Sequence, residues 1–412
     1  MNHVGGIDVE NKKERAIDQY LNHKFVIDKI QFKTVDLIYV VLLWAFALLV
    51  RIKLFPAMSA DYFGFLEIWM NEIKNLGCVK FLAGNTSNYT SPYLYLMCLV
   101  SPFDNSLYAL KSISVLFDFV AACAVFAIVF ELTKSTKKSI LGMSILLLCP
   151  TTIIDGAYWC QCDIIYTSLI LWAIYFFLKD KSKTCFVFLG IAFSFKLQTL
   201  FIIPFFIIMW LKKKNIQLWN IVFIPALYFV MHVPAVLCGR PFVEAMTIYF
   251  NQSGTYPWGT LNYPNIYCLL DETIESYHWL NAVPPAGTVF TIIVLGFIAY
   301  YLYTTEFNMT NDVMVLIALF TVAITVYFLP HMHDRYGFLI DLIAIIYAVL
   351  RPRRLPLLCI VFFVTTLTFM PYLIAVKVME PRTLAYIQTG VVIYIGYDLY
   401  KLINENKIET EG

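Results

Sequence analysis

From residue 34 onward the chain is a succession of apolar runs, many of them near 20 residues, and as helices of that length they would cross the hydrocarbon core of a bilayer. The runs lie near 34–54, 107–131, 139–154, 164–179, 184–197, 199–211, 217–237, 286–303, 313–329, 336–350, 355–374 and 384–402. Of the 412 residues, 60% are hydrophobic and 14% charged, whereas soluble domains carry roughly a quarter charged residues. So few polar side chains cannot cover a water-facing surface. The expected fold is therefore all-α, a polytopic membrane helix bundle of about 12 transmembrane helices. A polar segment over 1–33 precedes one membrane domain over 34–402, and a short tail over 403–412 follows. The polar segment has no apolar centre of the kind a cleavable secretion signal needs.

Lys and Arg gather in short clusters between the runs: Lys12/Lys13/Arg15, Lys134/Lys137/Lys138, Lys179/Lys181/Lys183, Lys212/Lys213/Lys214 and Arg351/Arg353/Arg354. With twelve crossings all of them fall on the side of the N-terminus, which the positive-inside rule makes cytoplasmic together with the C-terminus. No basic stripe interleaved with aromatics exists, so nucleic acid is not an expected partner. The cysteines sit mostly within apolar runs and read as core packing rather than a disulfide framework.

The opposite face receives the remaining polar features. Tyr62, Phe65, Leu66, Trp69, Met70, Ile73 and Leu76 recur at helical spacing in the first outer loop and predict an amphipathic helix ending at Gly77. Asp61 stands at its start, either as a cap or as a carboxylate directed for general-base work. Asp163 opens a span, either as a cap or as a charge lining a cavity, while nearby Asp155 reads as an ordinary loop residue. Lys196, beside Gln198, either snorkels to the interface or presents a fixed charge to an anion. The densest cluster is His331-Met-His333-Asp334-Arg335-Tyr336, where Arg335 and one or both histidines suit a phosphate clamp. The histidine spacing lacks the pattern of a zinc site, so no metal is implied, although a divalent ion is not incompatible with the chain. Outward carboxylates and cations together suit a reaction whose leaving group is a lipid-anchored phosphate.

Several of these runs, in order, resemble one family. Ser59-Ala-Asp61-Tyr-Phe-Gly-Phe-Leu-Glu-Ile-Trp69 and Asn88-Tyr-Thr-Ser-Pro-Tyr-Leu-Tyr95 are similar to the first outer loop and following helix of bacterial GT-C glycosyltransferases, relatives of the second mannosyltransferase of GPI-anchor synthesis. Trp159-Cys-Gln-Cys-Asp163 resembles their Trp-Gly-Gln-x-Asp run, with Cys160 in place of glycine. Phe195-Lys196-Leu-Gln198 through Pro204, Asn262-Tyr-Pro-Asn265 and His333-Asp334-Arg335-Tyr336 resemble later motifs, with Asp334 where glutamate is usual. The likeness covers about 34–350, and the last two spans carry none of it.

The resemblance implies a GT-C-like bundle that transfers a hexose, mannose-like, from a polyprenyl-phosphate-linked sugar to a hydroxyl of a lipid or glycan acceptor, with inversion. It implies Asp61 as the base, and Arg335, His333 and Lys196 as ligands of the donor phosphate. Asp163, Gln161, Gln198, His331, Tyr336 and Asn265 would orient the substrate. No cofactor is implied. The setting it implies is a bacterial plasma membrane with the site extracytoplasmic. A lipid-linked saccharide flippase or another transporter would show a similar pattern of spans, and so would an outer-face polysaccharide polymerase or ligase. Both readings stay open on the sequence.

Overall fold

The fold is taken from a computed structural model that describes residues 16–27, 30–84, 87–213, 217–253, 259–270 and 283–408. The cluster Lys12/Lys13/Arg15, Lys214 and the end of the expected tail lie outside the described residues. Ahead of the first span the chain forms a hairpin unforeseen in the sequence. Its strands β1 (Lys24–Ile27) and β2 (Ile30–Lys33) pair antiparallel, with Lys24 opposite Lys33.

Among the described residues the other regular elements are helices, apart from one further short strand pair. In chain order the main helices are α1 (Thr34–Leu54), α2 (Glu67–Leu76), α3 (Ser91–Val100), α4 (Ser106–Thr133), α5 (Thr136–Leu148), α6 (Asp163–Leu178), α7 (Ser182–Phe195), α8 (Ile203–Lys213), α9 (Phe223–Leu237) and α10 (Phe242–Ser253). They continue with α11 (Val283–Thr304), α12 (Asn311–Phe328), α13 (Phe338–Leu350), α14 (Leu355–Ile374) and α15 (Pro381–Glu405). Among the described residues six helices are long and apolar enough to cross a membrane, or seven if α5 and the segment Pro150–Tyr158, bent from it by 50°, count as one span. The protein is thus a helical multi-pass membrane protein.

The shorter helices owe their length to where they lie. α6 and α13 have 16 and 13 residues, about 24 and 20 Å at the helical rise. Every residue of α13 from Phe338 to Val349 is buried. A helix enclosed by other helices need not match the lipid thickness. Along the long helices the apolar window of α12 is 78% buried, whereas those of α1 and α11 are 17% and 11% buried. The centre of the bundle is accordingly α4, α6, α12 and α13, and the lipid-facing rim includes α1 and α11.

Buried charges fix the rim to the centre. Arg51 of α1 donates to Asp118 of α4 at 2.6 Å, and its Nη1 donates to the carbonyl of Leu147 at 2.9 Å. Lys111 of α4 donates to the carbonyls of Ala57 at 2.6 Å and Phe55 at 3.1 Å, satisfying oxygens that the end of α1 leaves without helical partners. α7 approaches α9 closely at Gly190, where a Cβ would lie 2.7 Å from the carbonyl oxygen of Phe223.

Contacts at one end of the bundle join four of its helix termini. Lys179 meets Glu131 at 3.2 Å, Asn311 donates to the Leu132 carbonyl at 2.9 Å, and Arg351 donates to Asp312 at 2.5 Å. The basic clusters that begin at Lys134, Lys179 and Arg351 therefore share one end.

Candidate functional site

The long loop after α1 folds largely as its periodicity predicts. A π-turn over Tyr62–Leu66 leads into α2, and Tyr62, Leu66, Trp69, Met70 and Ile73 are buried while Phe65 and Leu76 are exposed. Gly77 ends the helix at φ 80°, in the region that favours glycine. Asp61 does not cap this helix. Ser59 accepts from the Tyr62 backbone N–H instead, at 3.2 Å. The Asp61 carboxylate is thereby directed elsewhere: its Oδ2 accepts from Trp159 Nε1 at 2.9 Å and from Gln161 Nε2 at 2.6 Å.

Trp159 and Gln161 come from the turn between Pro150–Tyr158 and α6. Cys160 sits there at φ 69°, a conformation in which glycine is the unstrained residue. The glycine of the resembled run thus has a backbone reason, and Cys160 occupies the position at some cost in strain. Asp155, expected to be an ordinary loop residue, is instead wholly buried, with both carboxylate oxygens lacking a hydrogen-bond partner.

Asp163 is no cap either. It is fully buried and stands beneath two cations, with Lys196 Nζ 2.6 Å from Oδ1 and Arg335 Nε 3.2 Å from Oδ2. The first contact is a hydrogen bond. The second is charge contact only, since both atoms lack a partner at hydrogen-bonding angles. Lys196 leaves α7 in extended backbone, φ −154°, so its ammonium turns inward rather than snorkelling outward.

Arg335 is placed by the turn after a parallel strand pair, β3 (Thr260–Leu261) with β4 (Met332–His333). This pairing ties the long loop ahead of α11 to the histidine cluster. The backbone N–H of Asp334 also donates to the Leu261 carbonyl at 2.9 Å. Arg335 lies 5.5 Å over the Trp159 ring, a cation–π arrangement. Burial disfavours its charge, yet Asp163 and Asp334 hold the guanidinium firmly ionised. Asp334 is buried and accepts from the Arg335 backbone N–H at 2.9 Å. Burial, together with the carboxylates of Asp61 and Asp163, pushes its pKa up to about 7. Burial, and then the charges of Arg335 and Lys196, push His333 down to about 3. His333 is thus a neutral imidazole near neutral pH, and the positive charge here comes from Arg335 and Lys196.

These side chains surround a cavity of about 240 Å³. Asp61, Gln161, Lys196, Gln198, His333, Arg335 and Tyr336 all line it. Asp163 supports it from below. Asn265 and His331 do not line it. Asn265 is buried, and its side chain accepts from the Tyr267 backbone N–H at 3.1 Å and donates to the Leu329 carbonyl at 3.3 Å, holding the loop in place. His331, at φ 60°, pairs its backbone N–H with the Gly259 carbonyl. Trp159, Tyr89, Tyr249 and Tyr372 also belong to the site. Trp159 was visible in its motif, and Tyr89 in the run after Asn88. Tyr372 was not, because α14 bears no motif. It stacks on Trp159 at 5.9 Å and brings a helix that had seemed featureless into the wall.

Chemically the cavity has a carboxylate at one side and two cations at the other, with the indole of Trp159 contacting both. Its remaining wall is mostly aromatic rings and amides, with Leu66, Leu261 and Thr90 among them. Among the described residues no three His, Cys, Asp or Glu side chains are arranged to hold a metal ion. No protein-family model matches the chain, and no curated protein matches it significantly.

Proposed function

We propose that the protein is a membrane glycosyltransferase that moves one hexose from a polyprenyl-phosphate donor to an acceptor hydroxyl, with Asp61 as general base. The observation that carries this reading is the shared cavity: Asp61 faces the same space as Lys196 and Arg335, across Trp159. Both hydrogen bonds to Asp61 fall on Oδ2, so Oδ1 remains to take a proton. The acceptor oxygen bonds to the anomeric carbon as its proton passes to Asp61. The bond from that carbon to the phosphate oxygen breaks, and polyprenyl phosphate leaves with the electron pair. Attack from the side opposite the leaving group inverts the centre. Lys196 and Arg335, held in place by Asp163, stabilise the charge growing on the phosphate. His333 adds a neutral imidazole beside them.

In this reading the twelve apolar segments are all crossings, the clustered Lys and Arg ends face the cytoplasm, and the cavity opens on the extracytoplasmic side of a bacterial plasma membrane. Aromatic faces and amides are a suitable lining for a sugar ring. A cavity of about 240 Å³ supports a single sugar over the longer saccharide that a polymerase, ligase or flippase would handle. Mannose is the first sugar to try.

The test is transfer by purified protein in lipid nanodiscs, offered radiolabelled polyprenyl-phosphate hexoses with a membrane extract as acceptor. Wild type should move label into a new product, and Asp61→Asn should reduce this at least about a thousandfold while inserting and folding normally. Retained turnover in Asp61→Asn would remove Asp61 from the base role. No transfer of any hexose by folded wild type would overturn the reading.

A further inference from the structure

Two thiols meet beside the end of α2. Cys78 lies in none of the apolar runs; it follows Gly77 and opens a short helix, Cys78–Ala83. Its side chain lies against the last turn of α3, with Sγ 3.9 Å from the Cys98 carbonyl oxygen and 4.0 Å from the Ser101 hydroxyl. The side chains of Cys78 and Cys98 are also within hydrogen-bonding distance of each other. Both residues are partly exposed, whereas Cys149, Cys160, Cys162 and Cys185 are buried. Cys238, which follows α9, is partly exposed as well and lies near Cys98.

The place of this pair in the bundle decides what chemistry can reach it. The segment 55–105 joins α1 to α4 at one end of both helices. α4 has 28 residues, about 42 Å at the helical rise, and that length separates this segment from Lys134 at the basic end. The positive-inside rule makes the basic end cytoplasmic, which leaves Cys78 and Cys98 on the side where thiols oxidise and disulfides persist. Thiols already in contact need only side-chain rotation and a small backbone shift to bond. Gly77, at φ 80°, gives the chain beside Cys78 room for that shift.

We infer that Cys78 and Cys98 are a modification site, joined by an extracytoplasmic disulfide oxidant into a disulfide that ties the end of α2 to the end of α3. One cysteine thiolate attacks a sulfur of the oxidant and forms a mixed disulfide as the first oxidant thiolate leaves. The second cysteine thiolate then displaces the other oxidant thiolate. The two cysteine protons pass to the departing thiolates, so the cysteines lose two electrons and the oxidant gains them. The bond reinforces a contact already present, since Lys74 in the last turn of α2 donates to the carbonyls of Phe103 and Asp104, both at 3.0 Å. It also braces the cavity: Phe65 and Leu66 precede α2, Asn88, Tyr89 and Thr90 precede α3, and all five line the wall. The inference rests on the sidedness of the twelve-crossing reading and not on the reaction in the cavity.

The test is thiol trapping on the full chain. Aerobic cells are quenched with N-ethylmaleimide, the protein is purified, and its peptides are mapped by mass spectrometry before and after reduction. A linked Cys78–Cys98 peptide should appear and vanish on reduction. Both thiols alkylated in the quenched cells would overturn oxidation on that side. In parallel, reduced wild type in nanodiscs is treated with oxidised glutathione, which should form the same link and leave Cys238 free. Thiols that stay free, a glutathione adduct that never resolves, or a Cys98–Cys238 link would each overturn the pairing. Neither arm needs a variant to fold. Dithiothreitol should then lower the melting temperature of the oxidised protein by several degrees, because the segment 78–98 is no longer closed. In Cys78→Ser the same treatment should shift nothing. Equal melting of oxidised and reduced wild type would refute the brace.

Discussion

At the scale of single residues the site is governed by which carboxylates are spent and on what. Asp163 does not itself line the cavity but contacts both cations that do. Asp163→Asn should therefore lower kcat/KM roughly tenfold to a hundredfold, as loss of a charge-assisted contact would. If it acts through Lys196, the double variant Asp163→Asn/Lys196→Met should be no worse than the poorer single one, and additive losses would refute that. Asp334 offers a test by pH. Its folded pKa of about 7 lies above the ordinary carboxylate value near 4, so the folded state keeps a proton that the unfolded state has lost. Its contribution to stability is present below about pH 4 and disappears as pH rises toward 7. His333, lowered to about 3, acts oppositely: it binds a proton only when unfolded between pH 3 and 6.5, so acid destabilises through it. The two slopes offset each other in wild type. The melting temperature of wild type minus that of Asp334→Asn should fall between pH 4 and 7 and then level off. A flat difference would mean Asp334 is ionised throughout.

At the scale of helices, packing depends on a few polar or small residues in an apolar setting. Arg51 and Asp118 are both fully buried. Removing one partner leaves an uncompensated charge, so Asp118→Leu should cost about 3–5 kcal/mol. Arg51→Leu/Asp118→Leu should regain most of the loss in thermal melts, because the orphaned charge goes too. Gly190→Val should also destabilise, since any side chain there must push α7 away from α9. Most of the helices were legible from the sequence as apolar runs with polar punctuation, but α10 (Phe242–Ser253) falls in none of the twelve runs. The amphipathic helix after Asp61 was legible from its spacing. Capping was not: Asp61 and Asp163 each precede a helix and read equally well as caps, and only long-range partners about a hundred residues away in sequence, such as Trp159 and Gln161 for Asp61, decide against it. The hairpin over 24–33 was missed because its alternation is short and set among charges.

At the scale of the whole molecule, the contacts that join Glu131, Asn311 and Arg351 gather helix ends away from the cavity. Cysteines placed singly at Lys137, Lys181 and Arg353 of a cysteine-depleted protein should react with a membrane-impermeant thiol reagent only from the cytoplasmic side. A cysteine at Asn88 should react only from the other. Mixed labelling among the first three would refute the twelve-crossing topology. Composition and the length of apolar runs were enough to make this chain a helical membrane protein, because a bilayer admits few ways to satisfy a backbone and hydrophobicity alone selects among them. The sequence also marked Asp61, Lys196 and Arg335, since charges among apolar runs are costly enough to stand out. Through the resemblance it also put Gln161, Gln198, His333 and Tyr336 at the site, and these line the same cavity. That Asp163 lies under the cations rather than in the cavity, that Asn265 and His331 serve the loops, and that Tyr372 enters from a helix without any motif were decided by tertiary structure. The physical reason is that burial and hydrogen-bond partnership are properties of side chains brought together from distant segments, and no local spacing records them.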